Sequence, residues 1–126
     1  MRNKISVIIR TKNEERYIGY AIQSILDHIY KPEIIIIDNN SNDETLQIVR
    51  MFSQDNKLSN NTNKNYTDVK IFKIKDYTPG KSINLGINKA KHETMIIMSA
   101  HCELKKINLN KNIKDLKNNI CIFGNQ

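Results

Sequence analysis

The sequence predicts an α/β protein with an open, mostly parallel sheet and helices on its faces. Apolar segments of strand length alternate along the 126 residues with segments whose apolar residues recur at helical spacing. The segment Ile34–Ile37 is apolar throughout, which suits an interior strand of a parallel sheet covered on both faces. A chain of this length predicts a single domain, residues 1–126, with a real hydrophobic core.

The first strand is predicted over Ile5–Ile9, and a helix follows it after a polar loop. One face of that helix is apolar and consists of Tyr17, Ile18, Ala21, Ile22, Ile25 and Leu26. We expect Asn13 to cap the helix and Glu14 and Glu15 to lie in its first turn, where the helix dipole favours acids. Pro32 ends the helix and leads into the all-apolar second strand.

The second helix is predicted from a capping-box pattern in which Ser41 is followed three residues later by Glu44. Its apolar face consists of Leu46, Val49 and Phe52. Residues 54–68 are rich in Asn, Lys, Ser, Thr and Asp and contain little that a core could bury. They are predicted to form a mobile surface loop.

The remaining chain continues the alternation of strands and helices. A turn at Thr78-Pro79-Gly80 is predicted to open the third helix. The apolar face of this helix consists of Ile83, Ile87 and Ala90. A strand is predicted before it over Val69–Ile74 and another after it over Met95–Met98, followed by a weaker helix over Leu109–Lys117 and a short last strand over Ile120–Phe123.

The net charge of +7 and the pI near 9.4 predict attraction to polyanions. A basic α/β protein that binds nucleic acid is therefore one hypothesis, but aromatic residues do not interleave with the lysines as stacking on bases would require. No apolar run reaches the roughly 18 residues of a membrane helix. We expect a cytoplasmic protein in which Cys102 and Cys121 are free thiols.

Polar residues follow two of the predicted strands directly. Asp38-Asn39-Asn40-Ser41 follows the second strand, and Ser99 begins the polar segment after the fourth. Ligands of open α/β sheets bind beyond the carboxyl ends of the strands, so we expect a nucleotide pocket there. The pattern G-x-G-x-x-G does not follow the first strand, which argues against a dinucleotide site of the usual kind.

Three motifs in this order resemble the inverting family 2 glycosyltransferases. The first is a strand with a T-x-N-E-E loop, residues 7–15. The second is a hydrophobic strand that ends in an acid and an Asp-x-x-Ser-x-Asp turn, residues 38–43. The third is a Pro-Gly-Lys-x-x-Asn-x-Gly segment, residues 79–86. The resemblance covers essentially the whole chain and identifies it as the N-terminal, nucleotide-sugar-binding portion of such an enzyme.

The resemblance implies a Rossmann-like GT-A fold, truncated here, and a nucleotide-diphosphate sugar as donor. It also implies a glycan or lipid-linked acceptor, with surface polysaccharide synthesis as the process. The residues that it implies for donor binding are Arg10, Thr11, Glu14, Asp38, Asn39, Asn40, Ser41, Asp43, Lys81, Asn84 and Ser99. Among these, Arg10, Thr11, Glu14, Asp38 and Asn39 would hold the base and the ribose.

The third motif places Lys81 at a helix N-terminus, where an ammonium group and the helix dipole would jointly face phosphate. Asn84 would orient the neighbouring loop or the donor through its amide. Ordinary structural roles stay open for these residues: a turn acid for Asp38, first-turn helix chemistry for Thr11 and Glu14, and a solvated ammonium for Lys81.

The chain departs from the family pattern where most members carry Asp-x-Asp, because it has Ser99-Ala100-His101-Cys102 there and so resembles a subgroup with this signature. His101 is the candidate metal ligand or diphosphate contact, and Glu103 is the candidate replacement carboxylate. The cofactor implied by the family is Mn²⁺ or Mg²⁺, although the loss of both acids weakens the case for these oxygen-loving ions.

The general base and the acceptor pocket come from a later segment in this family, and the acceptor half is expected to be missing after residue 126. No residue is assigned as the catalytic base. A module of the same fold that binds nucleotide sugar without transferring it is therefore the alternative to an enzyme. A second copy or another chain would then complete the site.

Overall fold

The computed structural model describes residues 3–53 and 68–124. Within these two ranges, four strands and four helices occur in strict alternation. Their bounds, in chain order, are β1 Ile5–Thr11, α1 Ile18–His28, β2 Glu33–Asp38, α2 Thr45–Arg50, β3 Asp68–Lys73, α3 Pro79–Lys89, β4 Thr94–Ser99 and α4 Leu109–Leu116. The predicted α/β class is confirmed.

All pairings in the sheet are parallel, and the strand order is β3-β2-β1-β4. Strands β2 and β3 lie in succession on one side of β1, and β4 lies on its other side. The winding of the sheet therefore reverses between β1 and β4, and the carboxyl ends of these strands border the crevice where open α/β sheets bind ligands. Every residue of β2 is buried, as the all-apolar segment predicts for an interior strand.

The core lies on both faces of the sheet. On one face α1 and α2 pack against alternate residues of the central strands, and the buried members of this cluster include Val7, Ile9, Ile22, Ile34 and Ile36. On the other face α3 covers Ile8, Ile35 and Ile37.

Gly86 allows α3 to lie close to β1, because a Cβ atom at this position would be 2.4 Å from Cγ2 of Ile8. Gly80 has open space around it instead, so close approach does not explain that glycine.

Two predicted helix starts are wrong. Helix α1 begins at Ile18 with Tyr17 at its N-cap, and no acid lies in its first turn. Asn13 adopts a positive φ of 50° in the preceding loop. Helix α2 has Glu44 at its N-cap and no side-chain cap, because Ser41 binds elsewhere and no capping box forms.

Two other boundaries differ from prediction. The chain over Ile120–Phe123 forms no strand, because no neighbouring strand among the described residues pairs with it, and Ile120 and Phe123 are fully or nearly fully exposed. The loop predicted over 54–68 ends earlier, because β3 begins at Asp68. The rest of that loop, residues 54–67, lies outside the described residues.

A closed polar network lies at the amino end of the sheet and centres on the buried carboxylate of Glu33. Ser6 Oγ donates to Glu33 Oε1 at 2.6 Å, and the Lys91 backbone N–H donates to the same oxygen at 2.8 Å. Lys70 Nζ lies 3.0 Å from Glu33 Oε2. Lys91 Nζ pairs with Asp68 at 2.7 Å, and this hydrogen bond raises the pKa of the lysine.

Burial raises the pKa of Glu33, but the hydrogen bonds from Lys91, Ser6 and Lys70 outweigh burial and leave this pKa below its ordinary value. Glu33 is therefore a charged structural residue, held where the strands begin.

Within residues 3–53 and 68–124, no helix has the length and apolar character needed to cross a bilayer.

Candidate functional site

The carboxyl ends of β1, β2 and β4 bring most of the candidate residues together. Thr11 of β1 is the register partner of Asp38 of β2, and Arg10 is the register partner of Ser99 of β4. The backbone continues this alignment past the strands, because the Asn39 N–H donates to the Thr11 carbonyl at 2.9 Å and the Ala100 N–H to the Arg10 carbonyl at 3.3 Å. Three polar loops therefore leave the sheet side by side.

Asp38 is fully buried and sets the geometry of the loop after β2. Its Oδ2 accepts the Ser41 backbone N–H at 3.0 Å, and its Oδ1 accepts the Ser41 hydroxyl at 2.5 Å. Asn40, between them, has a positive φ of 56°. A carboxylate offers about four lone-pair sites, so these two bonds leave capacity for a further donor.

The loop after β1 is tied to the loop after β2 by reciprocal bonds. The Asn13 N–H donates to Ser41 Oγ at 2.9 Å, and the Asn42 N–H donates to Asn13 Oδ1 at 2.8 Å. Because Ser41 also donates to Asp38, its hydroxyl connects the buried acid to the neighbouring loop. The sequence prediction gave Asn13 only a capping role, since nothing local indicates a partner 29 residues away.

Asp43 also connects the loop after β1 to the loop after β2 by hydrogen bonds. Its Oδ1 accepts the N–H and the hydroxyl of Thr45 at 3.0 and 2.5 Å, and its Oδ2 accepts the Glu15 N–H at 3.2 Å. Thr45 Oγ1 in turn accepts the Glu14 N–H at 2.8 Å. Burial raises the pKa of Asp43, but the hydrogen bonds from Thr45 and Glu15 prevail and hold the pKa below its ordinary value.

Both oxygens of Asp43 are thus engaged in fixing the loops, as an ionised acceptor. Thr45, whose hydroxyl links Asp43 to the Glu14 backbone, was missed by the sequence prediction. A Thr at the start of a helix is a common local feature, and only the folded arrangement of the two loops shows its connecting role.

Glu14 and His101 connect the loop after β1 to the segment after β4. His101 Nδ1 lies 3.4 Å from Glu14 Oε1, and the His101 side chain is 61% exposed. The two groups are close enough for a weak contact, in which Nδ1 faces the Glu14 carboxylate. The Ser-Ala-His-Cys segment therefore lies beside the T-x-N-E-E loop.

Two polar atoms at the end of β1 are buried without a hydrogen-bond partner in the described part of the chain, Arg10 Nε and Thr11 Oγ1. Arg10 Nη2 makes one long contact, 3.4 Å to Ser99 Oγ. Buried polar groups are nearly always paired in native proteins. These two atoms are the exception in a region where the surrounding loops are densely bonded.

Lys81 and Asn84 lie on α3, apart from the bonded loops. Lys81 is exposed near the start of the helix, its N–H donates to Thr78 Oγ1 at 3.2 Å, and its Nζ contacts the Asp76 carbonyl at 3.5 Å. Asn84 is exposed. The structure places both on the helix that begins at the carboxyl end of the sheet, but their side chains make no bond to the loop residues described above.

The donor set for a divalent ion is sparse. Among the described residues, no three His, Cys, Asp or Glu side chains cluster in a way that holds a metal. The carboxylate of Glu103 is paired with Lys105 at 2.7 Å, and His101 faces Glu14 alone. These residues do not by themselves fit the usual set of oxygen ligands of Mn²⁺ or Mg²⁺.

A groove of about 480 Å³ lies on the outer side of α1 and α2, and it includes none of the candidate residues. Its lining residues are Glu15, Arg16, Gly19, Tyr20, Gln23, Ile48, Met51 and Phe52. The chemistry of the strand ends argues for the site more strongly than the size of this groove, because it supplies convergent polar groups.

Comparison with known proteins adds independent findings. Residues 6–125 match the model of the family described as Glycosyl transferase family 2. A dolichyl N-acetyl-alpha-D-glucosaminyl phosphate 3-beta-D-2,3-diacetamido-2,3-dideoxy-beta-D-glucuronosyltransferase of Methanococcus voltae is 30% identical over 115 residues, 89% of this chain and 33% of that protein. The poly(ribitol-phosphate) beta-N-acetylglucosaminyltransferase TarS of Staphylococcus aureus is 28% identical over 108 residues, 82% of this chain and 17% of TarS.

Solved structures show the same fold. The structure of S. aureus TarS in complex with UDP superposes with a TM-score of 0.70 at 24% identity, over 91% of this chain and 32% of that one. The mannosyltransferase PcManGT of Pyrobaculum calidifontis in complex with GDP-Man and Mn²⁺ gives a TM-score of 0.66 at 21% identity, over 84% and 30% of the two chains. The predicted Rossmann-like GT-A fold is confirmed, and the chain spans a third or less of the length of the curated relatives named above.

Proposed function

The chain belongs to glycosyl transferase family 2, and from this we propose that it supplies the donor-binding part of a glycosyltransferase. The donor is a nucleotide-diphosphate sugar, held where β1, β2 and β4 end. One observation carries the proposal: Thr11, Asp38 and Ser99 lie at adjacent strand ends, at the point where the sheet reverses its winding.

Asp38 is the proposed anchor of the nucleoside. Its carboxylate is buried, is oriented by Ser41, and retains acceptor capacity, which suits the donor hydroxyls of a ribose or an N–H group of a base. Thr11 and Glu14 are proposed to complete the nucleoside pocket from β1, together with Asn39 and Asn40 from the β2 loop. Ser41 and Asp43 support this pocket by fixing the two loops.

The diphosphate is proposed to lie between the end of β4 and the start of α3. Ser99 and the exposed His101 approach from the strand, and Lys81 and Asn84 approach from the helix. The charge of the whole chain favours such an anionic ligand.

The transfer is proposed to invert the anomeric carbon. The acceptor hydroxyl attacks that carbon and loses its proton to a general base, while the bond between the anomeric carbon and the phosphate oxygen breaks. The bonding electrons leave with the nucleoside diphosphate, so negative charge develops where the donor site must neutralise it. No described residue is assigned as the base.

The acceptor is proposed to be a glycan or a lipid-linked sugar, in surface polysaccharide synthesis. The named relatives support this class, because one acts on a dolichyl-phosphate-linked sugar and the other on poly(ribitol-phosphate). We propose a cytoplasmic location, at the cytoplasmic face of the membrane, and completion of the site by further protein, either in a second copy or in another chain.

A divalent cation occurs in the related mannosyltransferase structure. In this chain His101 and Glu103 are the proposed ligands for Mn²⁺ or Mg²⁺, but the described donor set does not make a site without additional groups. No step is therefore assigned to a metal. The same sparse donor set favours the second candidate function, a module of this fold that binds nucleotide sugar and does not transfer it.

Calorimetric titration with UDP, GDP and dTDP, each with EDTA and with Mn²⁺, tests the donor site. One nucleotide is expected to bind, and Asp38→Asn is expected to weaken it roughly 10- to 100-fold, because the variant removes a charged acceptor. Asp27→Asn, on the exposed side of α1, is the matched control and should bind as the unaltered chain does. The absence of binding to all three nucleotides would contradict the proposal.

A further inference from the structure

Arg10 is a charged side chain whose partner is missing from the described part of the chain. Its guanidinium offers five N–H donors in a planar fork. One of them makes a 3.4 Å contact with the Ser99 hydroxyl, and Nε is buried with no acceptor. Among the described residues, no carboxylate forms an ion pair with Arg10.

The position of Arg10 explains why this lack of a partner matters. Arg10 lies two residues beyond Ile8 on β1, so the two side chains share the face of the sheet that α3 covers. Its register neighbours on that face are Ile37 of β2 and Ser99 of β4. Neither side chain carries a compensating charge, and a partly buried, unpaired charge is costly to a folded protein.

The third helix approaches the same place. Gly86 contacts Ile8, and Ser82 is buried one turn closer to the start of α3. Four helical residues advance about 6 Å and two strand residues advance about 6.6 Å, which indicates that Ser82 lies roughly level with Arg10. The N-terminus of α3, which begins at Pro79, therefore lies beyond Arg10 at the carboxyl end of the sheet.

An unpaired guanidinium, a serine hydroxyl and the positive end of an eleven-residue helix thus occupy one face of the crevice. Each of these groups favours an anion. A diphosphate presents oxygens that accept two parallel N–H bonds from one guanidinium, which is a geometry that a lysine cannot reproduce.

We propose that Arg10 binds the diphosphate of the donor and provides the positive charge that a divalent cation provides in other proteins of this fold. This inference rests on the proposed function and changes one assignment within it, because Arg10 then contacts the phosphates and not the base or the ribose. It also accounts for the sparse metal-donor set near His101. As the bond to the sugar breaks, the charge left on the diphosphate is neutralised by a side chain that is already in place.

The test measures binding of UDP, GDP and dTDP and of the matching monophosphates in EDTA. The unaltered chain is expected to bind one diphosphate without metal. Arg10→Gln should weaken that diphosphate roughly 10- to 100-fold, and should weaken the monophosphate clearly less. Arg50→Gln removes an exposed arginine on α2 and should leave both affinities unchanged.

A second measurement separates a binding role from a structural one. Arg10→Gln removes an unpaired charge, so the melting temperature of the ligand-free chain should stay the same or rise. Arg10→Lys keeps the charge and loses the fork, so it should bind the diphosphate several-fold more weakly than Arg10 does. If Arg10→Gln does not fold, Arg10→Lys decides, and an unchanged diphosphate affinity in this variant overturns the inference.

Two other results overturn the inference and leave the proposed function intact. One is binding that requires Mn²⁺ and is indifferent to Arg10→Gln. The other is an equal loss for diphosphate and monophosphate, which would return Arg10 to the nucleoside. If the unaltered chain binds no nucleotide, the proposed function fails and the inference fails with it.

Discussion

The two ends of the same sheet handle buried polar groups in opposite ways. At the amino end, Glu33 accepts bonds from Ser6, Lys70 and the Lys91 backbone, so both of its carboxylate oxygens are bonded within the chain. At the carboxyl end, the loops are bonded to one another, but Arg10 Nε and Thr11 Oγ1 have no hydrogen-bond partner in the part of the chain that the structure describes. A network that is closed contributes stability, and one that is left open is suited to a ligand that closes it.

The difference follows from what each end must do. The amino end connects helices back to strands, so its charges are satisfied within the chain. The carboxyl end borders the crevice. There the hydrogen bonds join one loop to the other, and among the described residues Arg10 Nε and Thr11 Oγ1 at the end of β1 are left for a ligand to bond. Substitutions at the two ends should therefore separate stability from binding.

The largest expected effect on stability is at the amino end. Glu33→Ala leaves the Ser6 hydroxyl, the Lys91 N–H and the Lys70 ammonium without their acceptor. We expect the free energy of unfolding in urea to fall by about 2–4 kcal/mol, because buried donors lose their partners. Nucleotide affinity of the folded variant should be unchanged.

Glu93→Ala, which removes an exposed acid just before β4, is the control for that experiment. Its unfolding free energy should lie within about 0.5 kcal/mol of the unaltered chain. If Glu33→Ala were as stable as this control, the amino-end network would not be a source of stability, and the contrast between the two ends would fail.

A smaller stability effect is expected at the carboxyl end, coupled to a binding effect. Ser41→Ala removes the hydroxyl that donates to Asp38 and accepts from the Asn13 N–H. Because this site is partly solvated, we expect a loss of about 1 kcal/mol in unfolding free energy. Nucleotide affinity measured by calorimetry should fall as well, because Asp38 is no longer oriented.

Ser53→Ala removes a hydroxyl that bonds the Arg50 carbonyl on the surface, and it should change neither quantity measurably. A Ser41→Ala variant that lost stability but bound nucleotide normally would show that the loop bonds stabilise the fold and do not support binding. The polar bonds at the carboxyl end would then have the same purely structural role as those at the amino end.

The smallest expected effect is the dependence of stability on pH. The folded-state pKa of Glu33 lies below its ordinary value, so the unfolded chain binds its proton first as the pH falls. The contribution of Glu33 is therefore fully present above the unfolded pKa and is lost as the pH falls through the folded one. We expect the unfolding free energy to decline below roughly pH 5.

Glu33→Gln should make that acid decline less steep, as measured by urea unfolding at a series of pH values. Asp43 also has a lowered pKa and the same sign of dependence, so part of the slope should persist in the variant. An identical slope in the variant and in the unaltered chain would rule out Glu33 as a contributor.

Much of this architecture was predictable from local patterns. The four strands of the sheet and the helices between them follow from apolar runs and helical spacing, and Asp38 and Ser99 stand where strands end because hydrophobic runs stop there. The helix starts were not predictable in the same way. Asn13 and Ser41 are good capping residues, but the Asn13 side chain accepts the Asn42 N–H of the neighbouring loop, and the Ser41 hydroxyl donates to Asp38 and accepts the Asn13 N–H.

The predicted strand over Ile120–Phe123 failed for a related reason. An apolar run of four residues becomes a strand only where a neighbouring strand and a packed face receive it. Among the described residues no strand pairs with this segment, and Ile120 and Phe123 are almost entirely exposed. Local composition cannot report whether such a partner is present.

The sequence by itself determined the α/β class, the interior position of β2 and the polar residues that end the strands, because these depend on the side-chain period of each segment. Only the tertiary structure decided which polar groups meet. It closed the bonds around Glu33, joined Asn13 to Ser41 and gave Arg10 no counter-ion within residues 3–53 and 68–124, because each of these outcomes depends on side chains brought together from distant parts of the chain.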